Sequence, residues 1–508
     1  MVRTSNARWH GITLTAVILA LSGLARLPYL EQGNLSPDAA DYLNIACNVA
    51  RGRGLVHTIK WHFFTSDEVR HSAIGERPLL YPLLLVPLCG GDYPARAAQY
   101  ATLLFAAAAV ALGAAWAQRM GYGWLAVVIC AGLLAFNPGL LMYSVYPSTE
   151  PLYLCWLFTI LLVVGRNARS HRVACLAGLL TALAYLTRPS APMIAVALCL
   201  WYAHRRAFST LVCYLLTLAV FLVPWWAIVW VVRGNPFYSL QNFHLVVRDI
   251  TEGMAAGYGV TFPGSIEFLS AHAWEVTVKA GKQTFGYLLQ LLGPTYFSVL
   301  AVALFLRPFR PLEGEARTDG PCFAIALVHF ALPAVTWATF DTARFMLPCF
   351  AILLAPVVAE MCHLVGQLPM KRARVAAWSL ILAAIGLFYA DQWAQLYERV
   401  TSRRTVDQAM QVARIEFDRM VEQEAVVACK DPFSISYYFD RPAVVLPDLA
   451  KRRDQLRRFL EEYRPSYIVV QPEDIQAVSA LAADGWIHPV GWLGSVQLEV
   501  LRVTTPAP

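Results

Sequence analysis

The strongest constraint on this chain is a series of apolar stretches, each of a length suited to about 30 Å of hydrocarbon. They fall at residues 11–27, 95–118, 124–142, 150–165, 173–187, 191–203, 207–232, 285–306, 321–340, 345–364 and 375–390. Read as spans they make about eleven transmembrane helices. The pair at 173–187 and 191–203 is short and joined through Arg188-Pro189, which suits a tilted or partly re-entrant hairpin. Composition agrees: 57% of residues are hydrophobic and 15% charged, against about 25% charged in soluble domains. The first stretch follows Arg3, Arg8 and His10 like a signal peptide, but no small-residue cleavage site comes after it, so it reads as a retained first span with the N-terminus cytoplasmic.

Charge sets the orientation. Residues 391–508 hold 14 Lys/Arg and 17 Asp/Glu, and the first 390 hold 27 and 17. Alternate short loops collect the cations: Arg119; Arg166, Arg169 and Arg172; Arg205 and Arg206; Arg307, Arg310 and Arg317; Lys371, Arg372 and Arg374. The positive-inside rule puts these loops in the cytoplasm and the long loops 28–94 and 233–284, with the tail 391–508, outside. The positive excess is thus a membrane signature, with no nucleic-acid partner implied. Of the 11 cysteines, Cys130, Cys155, Cys175, Cys199 and Cys213 lie in apolar stretches and no CxxC pair occurs, so the cysteines read as small core residues.

The expected architecture is an all-α polytopic membrane body, residues 1–390, with interfacial helices in loop 28–94 and a lid in loop 233–284. A small extracytoplasmic α/β domain, 391–508, follows. In that tail an amphipathic helix at 403–423 precedes strands at 425–428, 443–446, 467–470 and 496–503 and helices at 451–463 and 474–483. No phosphate-binding glycine loop or nucleophile elbow occurs in it.

Chemistry concentrates at one side of the membrane. Ser36-Pro37-Asp38-Ala39-Ala40-Asp41-Tyr42 opens a helix that places Asp38, Asp41 and Tyr42 on neighbouring faces, with Leu43, Ile45 and Ala46 suited to the membrane surface. Asp38 alone reads equally as a helix cap. Glu76-Arg77-Pro78-Leu79-Leu80-Tyr81 follows in the same loop, and Glu150, Arg188, Asp341 and Arg344 fall at other outer helix ends. Ionisable groups at membrane depth are costly and mark sites. Carboxylates facing several arginines suit deprotonation of a hydroxyl beside a bound phosphate. Arg188 fits either headgroup snorkelling or phosphate binding. The histidines of the second long loop, His244 and His272, read as interfacial.

The order of these motifs resembles the C-type glycosyltransferases that use polyprenyl-phosphate sugars, in the branch of protein O-mannosyltransferases and lipid A aminoarabinose transferases. Asp38 with Tyr42, Arg77-Pro78-Leu79-Leu80-Tyr81, Glu150, and Arg344 with Pro348 carry the resemblance. Leu79 stands where a second proline is common, and Glu150 where aspartate is common in the aminoarabinose branch. The resemblance implies a cell-membrane hexosyl- or pentosyltransferase that inverts the anomeric carbon. Asp38 and Glu150 would be the catalytic residues, Asp38 the base, and Arg77, Arg344 and Arg188 would bind the donor phosphate. Asp41, Tyr42, Glu76, Tyr81 and Asp341 would line the pocket, and the acceptor would be a glycan, lipid or protein hydroxyl. No cofactor is required; Glu76 is a candidate contact for a divalent metal, against the plainer reading of an ion pair with arginine. The alternative from another class is a transporter or flippase for a lipid-linked or small anionic substrate, which would place its charges near the midplane in repeated halves. No such repeat is evident.

Overall fold

The computed structural model describes residues 2–30, 35–63, 68–91, 94–165, 169–239, 258, 270–292, 320–336, 342–447 and 455–504. Asp341, His244 and the cationic loop around Arg310 lie outside them. The body is helical: α1 (Val2–Leu30), α2 (Pro37–Ala50), α3 (Leu80–Leu85), α4 (Pro94–Arg119), α5 (Trp124–Ala135), α6 (Pro138–Val145), α7 (Glu150–Val164), α8 (His171–Thr187), α9 (Pro192–His204), α10 (Phe208–Arg233), α11 (Ala273–Leu292), α12 (Gly320–Thr336), α13 (Thr342–Gly366) and α14 (Lys371–Met420). Five of these, α1, α4, α10, α13 and α14, are long and apolar enough to cross a membrane, or six if the bent pair α5 and α6 counts as one span. Helices α7, α8 and α9 are apolar but shorter. The apolar core at the centre of the bundle draws on α4 to α10 and on α12 to α14.

The bend of 52° between α5 and α6 has a local cause. Asn137 caps α6 by accepting from Leu140 N at 3.1 Å, and Pro138 cannot continue the ladder of α5. One carbonyl freed at the end of α5 meets a cation: the buried Arg26 donates from Nη2 to Ala135 O at 2.6 Å, while its Nη1 donates to Ser22 O of α1 at 2.9 Å and its Nε to Ser144 Oγ of α6 at 2.8 Å. A cation at a helix C-terminus also opposes the helix dipole.

Strands β1 (Val56–His57), β2 (Ile59–Lys60) and β3 (His71–Ser72) belong to the first loop; β4 (Val427–Cys429), β5 (Ala443–Val445), β6 (Tyr467–Val470), β7 (Ile487–Leu493) and β8 (Leu498–Val503) belong to the tail. They form a six-stranded mixed sheet in the order β2-β5-β4-β6-β8-β7, with β1 and β3 in a separate pair. Helices α15 (Pro432–Phe439), α16 (Gln455–Tyr463) and α17 (Pro472–Ala483) cover it, and the two sheet faces bury separate apolar clusters. The sheet is therefore not confined to the tail. Strand β2 pairs parallel with β5, Ile59 opposite Ala443, and so fastens the first loop to the tail. Tyr258 of the second long loop adds a further tie, packing against Phe459 and donating to Glu462 at 2.7 Å.

Two expectations change here. Cys47 and Cys89 form a disulfide that joins α2 to the segment after α3, so the cysteines are not all core thiols. Leu43, Ile45 and Ala46 are buried within the protein rather than laid on a membrane surface, because α3, the start of α4 and the strands of the first loop cover α2 on several sides.

Candidate functional site

The site forms where one set of helix ends converges. Helices α1, α6, α8 and α10 finish there and α4, α7, α9 and α13 begin there, while Arg119, Arg172, Arg205 and Lys371 fall at the opposite ends. Above this ring lies α2. Ser36 caps it, its Oγ accepting from Ala39 N at 3.1 Å, with Pro37 in the first turn. Because serine does the capping, Asp38 is left for other contacts.

Those contacts form a chain of alternating charge. Arg344 Nη1 donates to Asp38 Oδ2 at 2.6 Å, and its Nε donates to Glu150. Arg188 Nη1 lies 2.5 Å from Glu150 Oε1 and donates to Thr149 Oγ1 at 3.2 Å. On the other side Arg77 Nη2 meets Asp38 Oδ1 at 2.9 Å and its Nε donates to Asp41 Oδ2 at 2.7 Å. Asp41 faces His57 Nε2 at 2.6 Å, and His57 Nδ1 faces Glu76 Oε2 at 3.1 Å. Glu76 also lies 3.4 Å from Arg233. The first loop, α7, α8, α10 and α13 thus meet in one network. Side-chain exposure is 25% at Asp38 and 19% at Arg344 but 1% at Asp41 and Glu76, so the network opens towards solvent at Asp38 and Arg344.

Packing fixes the geometry. The Arg77 guanidinium sits 5.7 Å from the Tyr42 ring centroid and 5.8 Å from that of Trp61. Tyr42 and Tyr81 pack edge to face, and the buried Tyr81 hydroxyl bonds Thr102 Oγ1 at 2.7 Å, so Tyr81 supports the wall beneath Arg77. Gly75, at φ +84°, makes the turn into Glu76, and a Cβ there would meet the Tyr238 ring at 2.8 Å. Burial works against the charge on Asp38, but Arg344 and then Arg77 outweigh it and hold the carboxyl well below its usual range.

Every described site residue expected from the sequence falls in or against this network. Sequence reasoning missed Arg233, His57 and His71. Arg233 carries the same signal as Arg188, a cation at an outer helix end. His57 and His71 lie in loop 28–94 but some distance along the chain from the Asp38 and Arg77 motifs, with no spacing that marks them.

The three buried groups His57, His71 and Glu76 bring ligand atoms within 4.8 Å of one another. His71 Nδ1 lies 2.8 Å from Glu68 O and so donates to it, which turns its Nε2 towards Glu76 Oε2 at 2.9 Å. In the same way Asp41 on His57 Nε2 leaves Nδ1 for Glu76. This is the arrangement of metal-binding histidines, each oriented through its second nitrogen, and the donor set fits a divalent ion with two nitrogens and one carboxylate. Burial disfavours charged His57, yet Asp41 and Glu76 raise its pKa to about 9.

A helical bundle entered at one end by α2 and α3, with a mixed sheet above that end, is a fold that this chain shares with proteins of known structure. Among solved structures that share it, ArnT from Cupriavidus metallidurans bound to undecaprenyl phosphate superposes with a TM-score of 0.61 at 12% identity, over 97% of this chain and 99% of that one. ArnT in the apo state gives 0.59 at 13% identity, covering 96% and 97%. The archaeal oligosaccharyltransferase AglB from Archaeoglobus fulgidus, in complex with an inhibitory peptide and a dolichol-phosphate, gives 0.58 at 12% identity, covering 94% of this chain and 72% of that one. No protein-family model matches the sequence, and no curated protein matches it.

Proposed function

We propose that this integral membrane protein transfers a sugar from a polyprenyl-phosphate donor to an acceptor hydroxyl on the extracytoplasmic face, with inversion. The observation that carries the reading is Asp38, a partly exposed carboxylate held between Arg344 and Arg77 at the mouth of a buried charge network. The fold shared with ArnT bound to undecaprenyl phosphate and AglB with a dolichol-phosphate supports the donor class.

The chemistry follows from charge. Asp38 takes the proton of the acceptor hydroxyl as its oxygen attacks the anomeric carbon, and the bond from that carbon to the phosphate oxygen breaks. The electron pair leaves with the polyprenyl phosphate, where Arg77, Arg344 and Arg188 stabilise the growing charge. Arginine suits the task because its planar fork holds phosphate oxygens in pairs. Glu150 has no open side: it holds Arg344 and Arg188 in place.

In the resting site Asp38 is a weak base, because both arginines favour its ionised form. A donor phosphate competes for the same guanidinium groups. Its arrival draws them from Asp38 and restores basicity once the leaving group is in place. A divalent ion on His57, His71 and Glu76 would add positive charge beside Asp41 and strengthen the hold on an anionic donor.

Placement outside the cytoplasm rests on the cationic loops at the opposite end and on the Cys47–Cys89 disulfide, which belongs to an oxidising compartment. The transporter reading gains nothing from charges gathered at one end of the bundle. The test is Asp38→Asn in membranes supplied with labelled polyprenyl-phosphate sugar. Transfer should be abolished and donor binding kept, since the change removes basicity but not shape. Near-normal turnover would remove Asp38 from the role.

A further inference from the structure

A cavity of about 630 Å³ lies along α2, beside the face that carries Asp41. One wall is the helix face of Asn44, Cys47, Asn48 and Arg51. The others come from the start of α4 at Arg96, from Asp407, Gln411 and Arg414 on α14, and from Tyr437 and Tyr438 on α15. The spacing of four and three residues from Asp407 to Gln411 to Arg414 puts that trio on one face of α14. The cleft is thus built by segments far apart in sequence, and none of its lining residues belongs to the charge network around Asp38, although α2 contributes to both.

Its shape is held open by covalent and hydrogen bonds. The Cys47–Cys89 disulfide forms part of the lining, and Asn44 Nδ2 donates to Ser436 Oγ at 3.0 Å, tying α2 to α15 across the cavity. A preformed wall lowers the ordering cost of binding. The volume falls within the usual range for small-ligand sites, about 300–1,000 Å³.

The lining chemistry selects the ligand. Hydroxyl, amide and guanidinium groups dominate, and few aliphatic side chains are present, which does not suit an acyl chain. Tyr437 and Tyr438 lie with ring centroids 5.0 Å apart, offering faces for a sugar ring. Three arginines line the cleft against two carboxylates, Asp407 and Asp440. Arg51 is paired with Asp440 at 2.6 Å, and Arg414 lies 3.6 Å from Asp418. Arg96 makes no ion pair with any described residue. Burial raises the carboxyl pKa of Asp407, and its hydrogen bond with Tyr438 partly offsets this and occupies the carboxylate.

We propose that this cavity is an accessory subsite for an acidic saccharide unit of the acceptor, with Arg96 as the charge contact and Gln411, Tyr437 and Tyr438 as partners for ring and hydroxyls. It rests on the glycosyltransferase reading only for the word acceptor. Saccharide binding stands or falls separately. Holding the acceptor at a point remote from its reacting hydroxyl turns binding energy into orientation.

The experiment uses the full chain in nanodiscs of zwitterionic lipid, titrated with digalacturonic acid and, as the neutral control, maltose. Undecaprenyl phosphate binding is measured on the same samples. Digalacturonic acid should bind clearly tighter than maltose. Arg96→Gln should weaken it about tenfold, the worth of one charge-assisted hydrogen bond, and Tyr437→Ala should weaken both sugars. Undecaprenyl phosphate binding should be unchanged in either variant. Equal binding of the two sugars, or unaltered digalacturonic acid binding in both variants, overturns the proposal. So does loss of binding in phosphatidylglycerol nanodiscs that Arg96→Gln relieves, which would assign the cleft to a lipid headgroup. Saccharide binding without any undecaprenyl phosphate binding would leave the subsite standing and remove the donor reading.

Discussion

Arg344 binds Asp38 across 306 positions of sequence, Nη1 to Oδ2 at 2.6 Å, and in doing so closes the start of α13 onto the first loop. The same guanidinium holds Glu150 at the start of α7. One side chain thus ties the loop that carries the proposed base to two separate helices of the bundle.

The first prediction concerns that tie. Arg344→Ala leaves Asp38 and Glu150 facing each other without their shared cation, and removing one partner of a buried pair costs about 3–5 kcal/mol. With Arg344 19% exposed, solvent screening reduces the loss to about 1–3 kcal/mol. Thermal unfolding in detergent should show the single variant clearly destabilised and Arg344→Ala with Glu150→Gln partly restored. Equal midpoints for wild type and Arg344→Ala would contradict the tie.

The second concerns pH. Asp38 is held below the usual carboxylate range in the folded state, so the stability it contributes is present above its unfolded pKa, about 3.9. That contribution is lost only as pH falls through the lower folded value. The stability difference between wild type and Asp38→Asn should therefore be flat from pH 7 to pH 5 and shrink in more acid solution. A difference already vanishing near pH 6 would mean that Arg344 and Arg77 do not hold Asp38 in solution.

A third follows from the disulfide. Cys47 and Cys89 close a loop with a sequence separation of 42, and such a link stabilises by about 2–4 kcal/mol. Mass analysis of the unreduced protein should show the bond, and Cys47→Ser should lower the thermal midpoint. With the disulfide intact, so that neither Cys47 nor Cys89 reacts, an impermeant thiol reagent should label Ser479→Cys in intact cells and spare Ser170→Cys. Labelling of Ser170→Cys instead would reverse the orientation.

The fourth is elemental. Protein purified without chelator should carry about one equivalent of a zinc-class ion, and His71→Ala should lose it while keeping its fold by circular dichroism. Metal content equal in the two would show that any ion sits elsewhere.

Much of this was legible in the sequence. Long helices such as α4, α10 and α13 followed from apolar length, and the helix ends bearing Asp38, Glu150, Arg188 and Arg344 could be placed on one side because alternate loops carry the cations. Strands such as Tyr467–Val470 showed as β-branched runs. What stayed hidden depends on pairing at a distance. Ile59-Lys60 is too short to register as a strand and exists because Ala443 and Val444 pair with it. The Cys47–Cys89 bond needs α2 and the segment after α3 to be neighbours, which no spacing states. His57 and His71 become one site only when the pairing of β1 with β3 sets them opposite each other.

The central claim is that Arg77 and Arg344 receive a lipid phosphate beside Asp38. Its most direct test is the binding of undecaprenyl phosphate to purified wild type, Arg77→Ala and Arg344→Ala, followed by native mass spectrometry, with Arg172→Ala at the opposite end of the bundle as control. Wild type and control should retain the lipid at equal occupancy, and each site variant should lose at least about tenfold in affinity. Undiminished binding in both site variants, or an equal loss in the control, would contradict the account.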